Sequence, residues 1–197
     1  MIPGVRLINN PQRRIERCKE ETDTAATALT ADDRLLVIGQ NWEAYSDGFI
    51  AIDGEPIGST RRFRKMQAAI EAFIASRPAD TRFLLIGGVV VTTCGDDLAD
   101  QMPAPFRSPR PSACPPKPAP EARRQSRDVD SMLRAIRRKW PDRVTLLLPS
   151  ELYCGPDMCV TSVDGISLFR DIIHFTRYGS EYFTNLARPK FEALLAR

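Results

Sequence analysis

Three apolar runs divide the chain at wide intervals. The first extends from Arg34 to Gly39, directly after Asp32 and Asp33. Its continuous apolar pattern predicts a strand buried on both faces. The second, Phe83 to Val91, predicts another buried strand, with Gly87 and Gly88 near its carboxyl end. Residues Val144 to Leu148 predict a short third strand.

Apolar residues recur at helical spacing between and after these runs. The pattern predicts helices from Ser59 or Thr60 to Ser76, from Glu121 to Trp140, and within Arg177 to Leu195. In the last helix, Pro189 is expected to cause a break or kink after Ala187. The predicted core positions of the first two helices are Phe63, Met66, Ala69, Ile70, Phe73, Val129, Met132, Leu133, Ile136 and Trp140.

Alternation of strands and helices predicts an α/β fold with a mostly parallel sheet covered on both faces. Two segments interrupt the alternation. Residues 43 to 59 are rich in Gly and Asp and indicate a hairpin around Asp53 and Gly54. Residues 102 to 120 contain eight prolines and are expected to form no regular element, only an extended excursion over the surface.

Composition is that of a folded domain. The 197 residues are 43% hydrophobic and 27% charged, and the net charge of +3 is too small to indicate a nucleic-acid partner. Basic clusters at 61–65, 123–127 and 134–139 are interpreted as solvated helix faces, with anionic glycan or phospholipid headgroups as the alternative. No apolar run approaches the roughly 20 residues that span a bilayer, and the first residues do not match a secretory signal.

The sequence contains one histidine, His174, three residues after Asp171. An isolated histidine is commonly a surface or core residue. In Asp-x-x-His, however, the carboxylate can hydrogen-bond one imidazole nitrogen and leave the other to accept a proton from a nucleophile, as in a Ser-His-Asp site. Asp171 and His174 are therefore the candidate orienting acid and general base.

Several motifs, in the correct order, resemble those of the SGNH (GDSL-type) hydrolases. They are Leu168-Phe169-Arg170-Asp171 with His174-Phe175-Thr176-x-x-Gly179, the strand Leu35 to Gly39 with Gln40-Asn41-Trp42 after it, and the paired-cysteine loop Cys154 to Cys159. The resemblance covers roughly residues 10 to 195 and is closest to the SGNH domain fused to bacterial membrane O-acyltransferases. It implies a three-layer α/β/α sandwich, a single domain over residues 1–197, and esterase or acyltransferase activity without a cofactor.

The resemblance also implies roles for individual residues. Asn41 would donate a hydrogen bond in the oxyanion hole; the alternative is a turn-forming residue after a strand. Trp42 is expected to pack in the core. Because ligands bind at the carboxyl ends of parallel strands, Asn41, the Gly87-Gly88 turn and the loop of His174 are expected at one edge of the sheet.

Two blocks of the family pattern have no match. The family's second block, which gives a backbone N–H to the oxyanion hole, would lie upstream of the strand at Leu35 and is not found. The family's nucleophile lies in a Gly-Asp-Ser turn after the first strand, and no Gly-Asp-Ser occurs in the sequence. The nucleophile is therefore unassigned. We expect an N-terminally incomplete domain that lacks its first strand and helix, which would expose a sheet edge and favour aggregation or dimerisation.

Five cysteines bear on the compartment. Cys154 and Cys159 bracket a Gly-Pro turn and can close a short disulfide, without further partners for zinc. Cys94 and Cys114 flank the proline-rich segment and could form a second bridge, which leaves Cys18 unpaired. The chain by itself reads as cytosolic, but disulfides and the family resemblance favour the periplasm, with export directed by an upstream segment.

These observations predict an acyl-ester hydrolase or O-acyltransferase domain that transfers acetyl groups to or from surface polysaccharide or peptidoglycan. Its partners would be an acylated or acyl-accepting glycan and the membrane acyltransferase module normally fused upstream. Activity is expected to be impaired because the serine block is missing. The alternatives are a catalytically silent domain that binds a glycan or a protein partner, and a cytosolic α/β protein that merely resembles the family.

Overall fold

A computed structural model describes residues 5–7, 24, 29, 33–39, 42, 50–52, 55–56, 59–92, 94 and 114–196. In chain order, the elements are β1 (Val5–Leu7), β2 (Leu35–Gly39), β3 (Ile50–Ile52), β4 (Glu55–Pro56), α1 (Ser59–Ala75), β5 (Arg82–Ile86), β6 (Lys117–Pro118), α2 (Ala119–Lys139), β7 (Val144–Leu147), α3 (Pro149–Leu152), β8 (Met158–Cys159), β9 (Ser162–Val163), β10 (Ile166–Ser167) and α4 (Arg177–Leu195). The chain divides into two compact units, Met1–Gly88 with Asp128–Leu147, and Val89–Arg127 with Leu148–Arg197.

The first unit is built on a parallel sheet with the strand order β2-β5-β7. Its central strand β5 is apolar, and Phe83, Leu84 and Leu85 are fully buried. The predicted strand over Arg34 to Gly39 is therefore confirmed as β2, but its burial on both faces is wrong. Leu36 is buried but Val37 is 52% exposed, and because successive side chains of a strand point to opposite faces, only one face of β2 is covered at this position.

Helix α1 and the part of α2 from Asp128 onward belong to the first unit, and along the chain the two helices lie between its parallel strands. Helix α1 buries Met66, Ile70 and Ile74, which recur at helical spacing. The side chains of Lys139, at the end of α2, and Glu71, in α1, form a hydrogen-bonded ion pair. Partial burial raises the pKa of Glu71, but hydrogen bonds from Lys139 and Gln67 and the charge of Lys139 outweigh it, so the pKa is lowered. This pair links the C-terminal end of α2 to α1.

The first unit also contains the predicted hairpin. Strand β3 pairs antiparallel with β4, and β1 pairs antiparallel with the other side of β3. The two residues between β3 and β4 are Asp53 and Gly54, where the sequence predicts the turn, and they lie outside the described residues. The hairpin is confirmed on its two strands.

Three expectations are corrected by the structure. The strand predicted over Phe83 to Val91 ends at Ile86, after which the Gly87 N–H donates to the Leu147 carbonyl at 2.8 Å and the backbone leaves the ladder. In the proline-rich segment, residues 102–113 lie outside the described part, but Lys117–Pro118 pairs with β8 and α2 begins at Ala119. Helix α4 continues through the exposed Pro189, so the break predicted after Ala187 is wrong, whereas a kink there stays a prediction.

The second unit has a core of its own. It contains the short antiparallel pairs β6-β8 and β9-β10 and the terminal helix α4. Four aromatic rings lie at its centre, with Tyr153 edge-on to the rings of Phe169, Phe175 and Phe183 at centroid distances of 5.9, 6.4 and 6.4 Å. The loop that carries Asp171 and His174 lies between Phe169 and Phe175, two members of this cluster.

Candidate functional site

The loop from Leu168 to Thr176 is closed at its base by backbone hydrogen bonds. The Thr176 N–H donates to the Leu168 carbonyl at 2.9 Å, and the Arg170 N–H donates to the His174 carbonyl at 2.7 Å. Between these bonds, Phe169 and Phe175 face each other in an antiparallel bridge. The loop is thus a compact hairpin whose tip contains Asp171 and His174.

The Asp171 carboxylate organises the tip of this hairpin. Its Oδ1 atom accepts hydrogen bonds from the backbone N–H groups of Ile173 at 3.0 Å and His174 at 2.8 Å. The imidazole Nδ1 of His174 lies 2.8 Å from Oδ2 and 3.0 Å from Oδ1. One carboxylate therefore fixes both the backbone that carries the imidazole and the ring itself.

The electrostatic state of Asp171 follows from these contacts. Partial burial raises its pKa, but the hydrogen bonds from the Ile173 and His174 backbone, together with the imidazole, outweigh burial and lower the pKa to about 2. At neutral pH the carboxylate is ionised and can only accept hydrogen bonds, so the proton of neutral imidazole must lie on Nδ1. The other ring nitrogen, Nε2, then carries a free lone pair.

The imidazole is open to solvent. The side chain of His174 is 61% exposed, whereas that of Asp171 is 23% exposed. Within the described part of the chain, no residue forms a hydrogen bond with Nε2. The arrangement presents a proton acceptor to an incoming hydroxyl group and keeps its orienting carboxylate beneath it.

Comparison with known proteins identifies the family of this chain. A family model described as SGNH domain (fused to AT3 domains) matches residues 2–189. The chain belongs to this SGNH family. No curated protein and no solved structure matches it.

Membership in the SGNH family confirms the predicted fold class. An SGNH domain is an α/β domain, and the parallel sheet β2-β5-β7 with its connecting helices is consistent with a three-layer α/β/α sandwich. The family also supports a domain of the hydrolase or acyltransferase type, and fusion to AT3 domains supports a membrane acyltransferase module as the partner. Within the described residues, no helix is both long and apolar enough to cross a bilayer.

The other residues predicted for the SGNH site have different outcomes. Asn41 lies outside the described residues, so its role in an oxyanion hole stays a prediction. Its neighbour Trp42 is fully buried, and its Nε1–H donates to the carbonyl of Ile86 at 2.7 Å, which confirms packing in the core. The catalytic roles of Asp171 and His174 stay predictions as well, although the structure brings the two side chains together.

The structure contains both expected cysteine pairs. Cys154 is bonded to Cys159, and Cys94 is bonded to Cys114, whereas Cys18 lies outside the described residues. Across the part of the chain that is described, no three His, Cys, Asp or Glu side chains come together to hold a metal ion. The disulfides belong to the unit that carries the candidate site.

Two supporting residues were missed by the sequence analysis. The hydroxyl of Tyr153 accepts a hydrogen bond from the Val90 N–H at 2.9 Å, and the Thr92 N–H donates to the Ile172 carbonyl at 2.8 Å. Thr92 lies 79 residues before Asp171 in the sequence, and no motif links the two. The available sequence signal for Thr92 was its position, as a polar residue directly after an apolar run.

Proposed function

We propose that this SGNH domain supplies the acid–base part of an acyl-ester hydrolase or O-acyltransferase. The observation that carries the proposal is the hydrogen bond of His174 Nδ1 to the ionised Asp171 carboxylate at 2.8 Å, with the imidazole 61% exposed. This geometry suits a base that receives a proton from a hydroxyl nucleophile. Membership in a family of hydrolase and acyltransferase domains supports the same chemistry.

The proposed reaction has two steps. In the first, a serine hydroxyl attacks the ester carbonyl and gives its proton to Nε2 of His174, and the carbonyl oxygen becomes an oxyanion. Asp171 stabilises the imidazolium, which returns the proton to the departing alcohol oxygen. In the second, Nε2 accepts a proton from water or an acceptor hydroxyl that attacks the acyl-enzyme, and returning it to the serine oxygen regenerates the free serine.

Asn41 is the proposed donor to the oxyanion. It follows β2 directly after Gln40, and its amide can donate a hydrogen bond where negative charge develops on the carbonyl oxygen. Loss of one such donor typically lowers the rate by about 10²–10³. The role proposed for Asn41 is thus to stabilise the oxyanion.

We further propose that residues 1–197 have impaired activity by themselves. The proposal rests on the sequence, because none of its serines follows the Gly-Asp pattern of the family's nucleophile. The base half of the site is formed, but the proton donor for Nε2 is unassigned. A catalytically silent domain that binds glycan on the same surface is the competing function.

The proposed substrate is an acetylated or acetyl-accepting bacterial glycan on the exported side of the membrane. Fusion of related domains to AT3 domains supports a membrane acyltransferase that would exchange acetyl groups with this domain. Disulfides persist in oxidising compartments, so Cys94–Cys114 and Cys154–Cys159 support the same location. Surface polysaccharide and peptidoglycan both offer hydroxyl groups that can carry the ester.

The test of this function is hydrolysis of p-nitrophenyl acetate by oxidised protein, combined with labelling by a fluorophosphonate and mass analysis of the labelled peptide. His174→Ala and Thr81→Val serve as the test variant and the matched control. A slow activity that disappears in His174→Ala, together with one labelled serine, would support the base role and identify the nucleophile. Hydrolysis and labelling that persist in His174→Ala would overturn it.

A second measurement separates the competing functions if neither protein hydrolyses the ester. Sedimentation with O-acetylated peptidoglycan, compared with chemically deacetylated peptidoglycan, reports binding without catalysis. Preferential binding to the acetylated form supports an acetylated glycan as substrate or ligand. If the amount of protein in the pellet is the same with either polymer as without polymer, a peptidoglycan ligand is contradicted.

A further inference from the structure

A short segment after β5 contacts the loop that carries the candidate base. We call this segment, residues 90–92, the strap. Thr92 is 4% exposed, and its N–H donates to the Ile172 carbonyl at 2.8 Å. Its hydroxyl oxygen lies 3.3 Å from the Ile172 carbonyl oxygen and 3.4 Å from that of Asp171. Thr92 thus contacts the backbone of two consecutive residues at the tip of the loop.

Both ends of the strap are themselves held. At one end, the Val90 N–H donates to the hydroxyl of Tyr153, whose ring packs edge-on against Phe169 and Phe175 on either side of the loop. At the other end, the Cys94 N–H donates to the Thr92 hydroxyl at 3.3 Å, and Cys94 is tied to Cys114 by a disulfide. The position of Thr92 is therefore fixed by contacts on both sides of it.

The exposed imidazole depends on the backbone beneath it. A side chain that is 61% exposed gains little positional order from packing, so its position follows from Asp171 and from the backbone of the loop. The loop's own bonds close its base and its tip, but Thr92 ties the Asp171 and Ile172 carbonyls to a separate segment of the chain. Without this tie, the tip could move as a hinged unit.

We infer that Thr92 is a positioning residue for the Asp171–His174 pair, and that Tyr153 and the Cys94–Cys114 disulfide hold Thr92 in place. As a contribution to catalysis, this inference rests on the proposed function. As a statement about the order of the loop, it can be measured in a protein with no esterase activity. Thr92 touches neither reacting atoms nor substrate in this role and acts through the backbone.

The test compares amide hydrogen exchange in oxidised protein of residues 1–197. Thr92→Val removes the hydroxyl and keeps the volume and backbone N–H, and Thr92→Ser restores a hydroxyl. Thr81→Val is the matched control, because Thr81 is also buried and its hydroxyl donates to the Asp33 carbonyl at 3.2 Å. The amides of Ile173 and His174 report on the loop, since both donate to Asp171 Oδ1.

In Thr92→Val, we expect both amides to exchange roughly fivefold to tenfold faster, as for the loss of about one net hydrogen bond. Thr92→Ser should restore the wild-type rate, and Thr81→Val should leave it unchanged. The amides of α4, which belongs to the same unit as Thr92 and the loop, report on general destabilisation of that unit. Equal exchange in Thr92→Val and Thr81→Val, or a rise shared equally by the amides of α4, would overturn the inference.

Tyr153→Phe provides a second variant that keeps the aromatic ring. It deprives the Val90 N–H of its acceptor, and we expect faster exchange at Val90, Ile173 and His174 together. Faster exchange at Val90 alone would show that the strap moves without moving the loop, and would overturn the role assigned to Tyr153.

The esterase assay and the exchange measurement test separate claims, and either claim can fail without the other. If the wild type hydrolyses ester, Thr92→Val should lower kcat with little change in KM, because the base is misplaced while the substrate surface is kept. If the wild type does not hydrolyse the ester but loop exchange is faster in Thr92→Val, the positioning role is supported and the proposed function is not. Hydrolysis with unchanged exchange and unchanged kcat would overturn the positioning role alone.

Discussion

The backbone of Gly179 lies directly against the carbonyl group of Leu168. A β-carbon built at Gly179 would overlap the Leu168 oxygen, carbonyl carbon and α-carbon. The same corner contains the helix cap, where the Gly179 N–H donates to the Thr176 hydroxyl at 2.9 Å and that hydroxyl donates to the Ser167 carbonyl at 3.0 Å. The absence of a side chain at Gly179 lets α4 begin against the base of the loop.

This contact reverses the usual sign of a Gly→Ala substitution in a helix. Alanine normally favours the helix by about 1 kcal/mol. In Gly179→Ala, the overlap is with backbone atoms that cannot rotate away, and we expect a loss of about 1–3 kcal/mol in the free energy of unfolding. Urea unfolding monitored by circular dichroism measures it.

Gly155→Ala is the matched control for this prediction. A β-carbon at Gly155 would lie 3.5 Å from the Met158 carbonyl oxygen, an ordinary contact. We expect a change within about 0.5 kcal/mol, as for substitutions that touch no special feature. A Gly179→Ala protein as stable as Gly155→Ala would contradict the close approach of α4 to Leu168.

A second prediction follows from the pKa of Asp171, about 2 against an ordinary value of 3.8. Because folding lowers this pKa, the ionised carboxylate stabilises the fold at any pH above the ordinary pKa of the group. This contribution is lost as the pH falls from about 4 to about 2. We expect a loss of about 1 kcal/mol, since water screens a partly exposed group. Wild type and Asp171→Asn should therefore converge in unfolding free energy on acidification, and a constant difference would contradict the low pKa.

The core was predictable where burial follows a local period. The apolar residues of α1 recur every three or four positions, so Met66 and Ile70 could be placed in the core from the sequence. Strand β5 was equally readable as an apolar run. Its end was not, because an apolar run does not distinguish a paired strand from the strap that follows Gly88.

The site was predictable where its partners are close in sequence. Asp171 and His174 share one turn, so the spacing alone brings the carboxylate and imidazole together. Thr92 and Tyr153 reach the loop through tertiary contacts that no local pattern encodes. Burial of Lys117 was missed for a related reason, since a charged residue between prolines reads as solvent-exposed.

A third prediction concerns the tautomer of the single histidine. When the imidazole is neutral, ionised Asp171 accepts the Nδ1 proton, so Nε2 should be unprotonated. The ¹⁵N shifts of the two ring nitrogens distinguish the tautomers, and one histidine makes the assignment unambiguous. In Asp171→Asn, the amide can donate to Nδ1 and should increase the tautomer protonated on Nε2. Equal shifts in the two proteins would show that Asp171 does not set the tautomer.

A fourth prediction concerns the buried cation of β6. The side chain of Lys117 is 1% exposed, and its ammonium lies 3.3 Å from the carboxylate of Glu121, which is 40% exposed. Removing the Glu121 charge leaves the buried Lys117 ammonium uncompensated, whereas an apolar side chain of similar size at position 117 avoids the cost of desolvating an ammonium. We expect Glu121→Gln to cost about 1–3 kcal/mol and Lys117→Met to be within about 1 kcal/mol of wild type.

Lys190→Met is the control for this asymmetry, because Lys190 and Glu151 are both partly exposed and their charged atoms lie 3.9 Å apart. Exposed pairs contribute about 0–1 kcal/mol, so this variant should unfold close to wild type in urea. The comparison of the two losses in unfolding free energy distinguishes the two explanations. If Lys117→Met loses more than Glu121→Gln, the stem and ammonium of Lys117 stabilise the unit directly, and burial of the cation is favourable without Glu121.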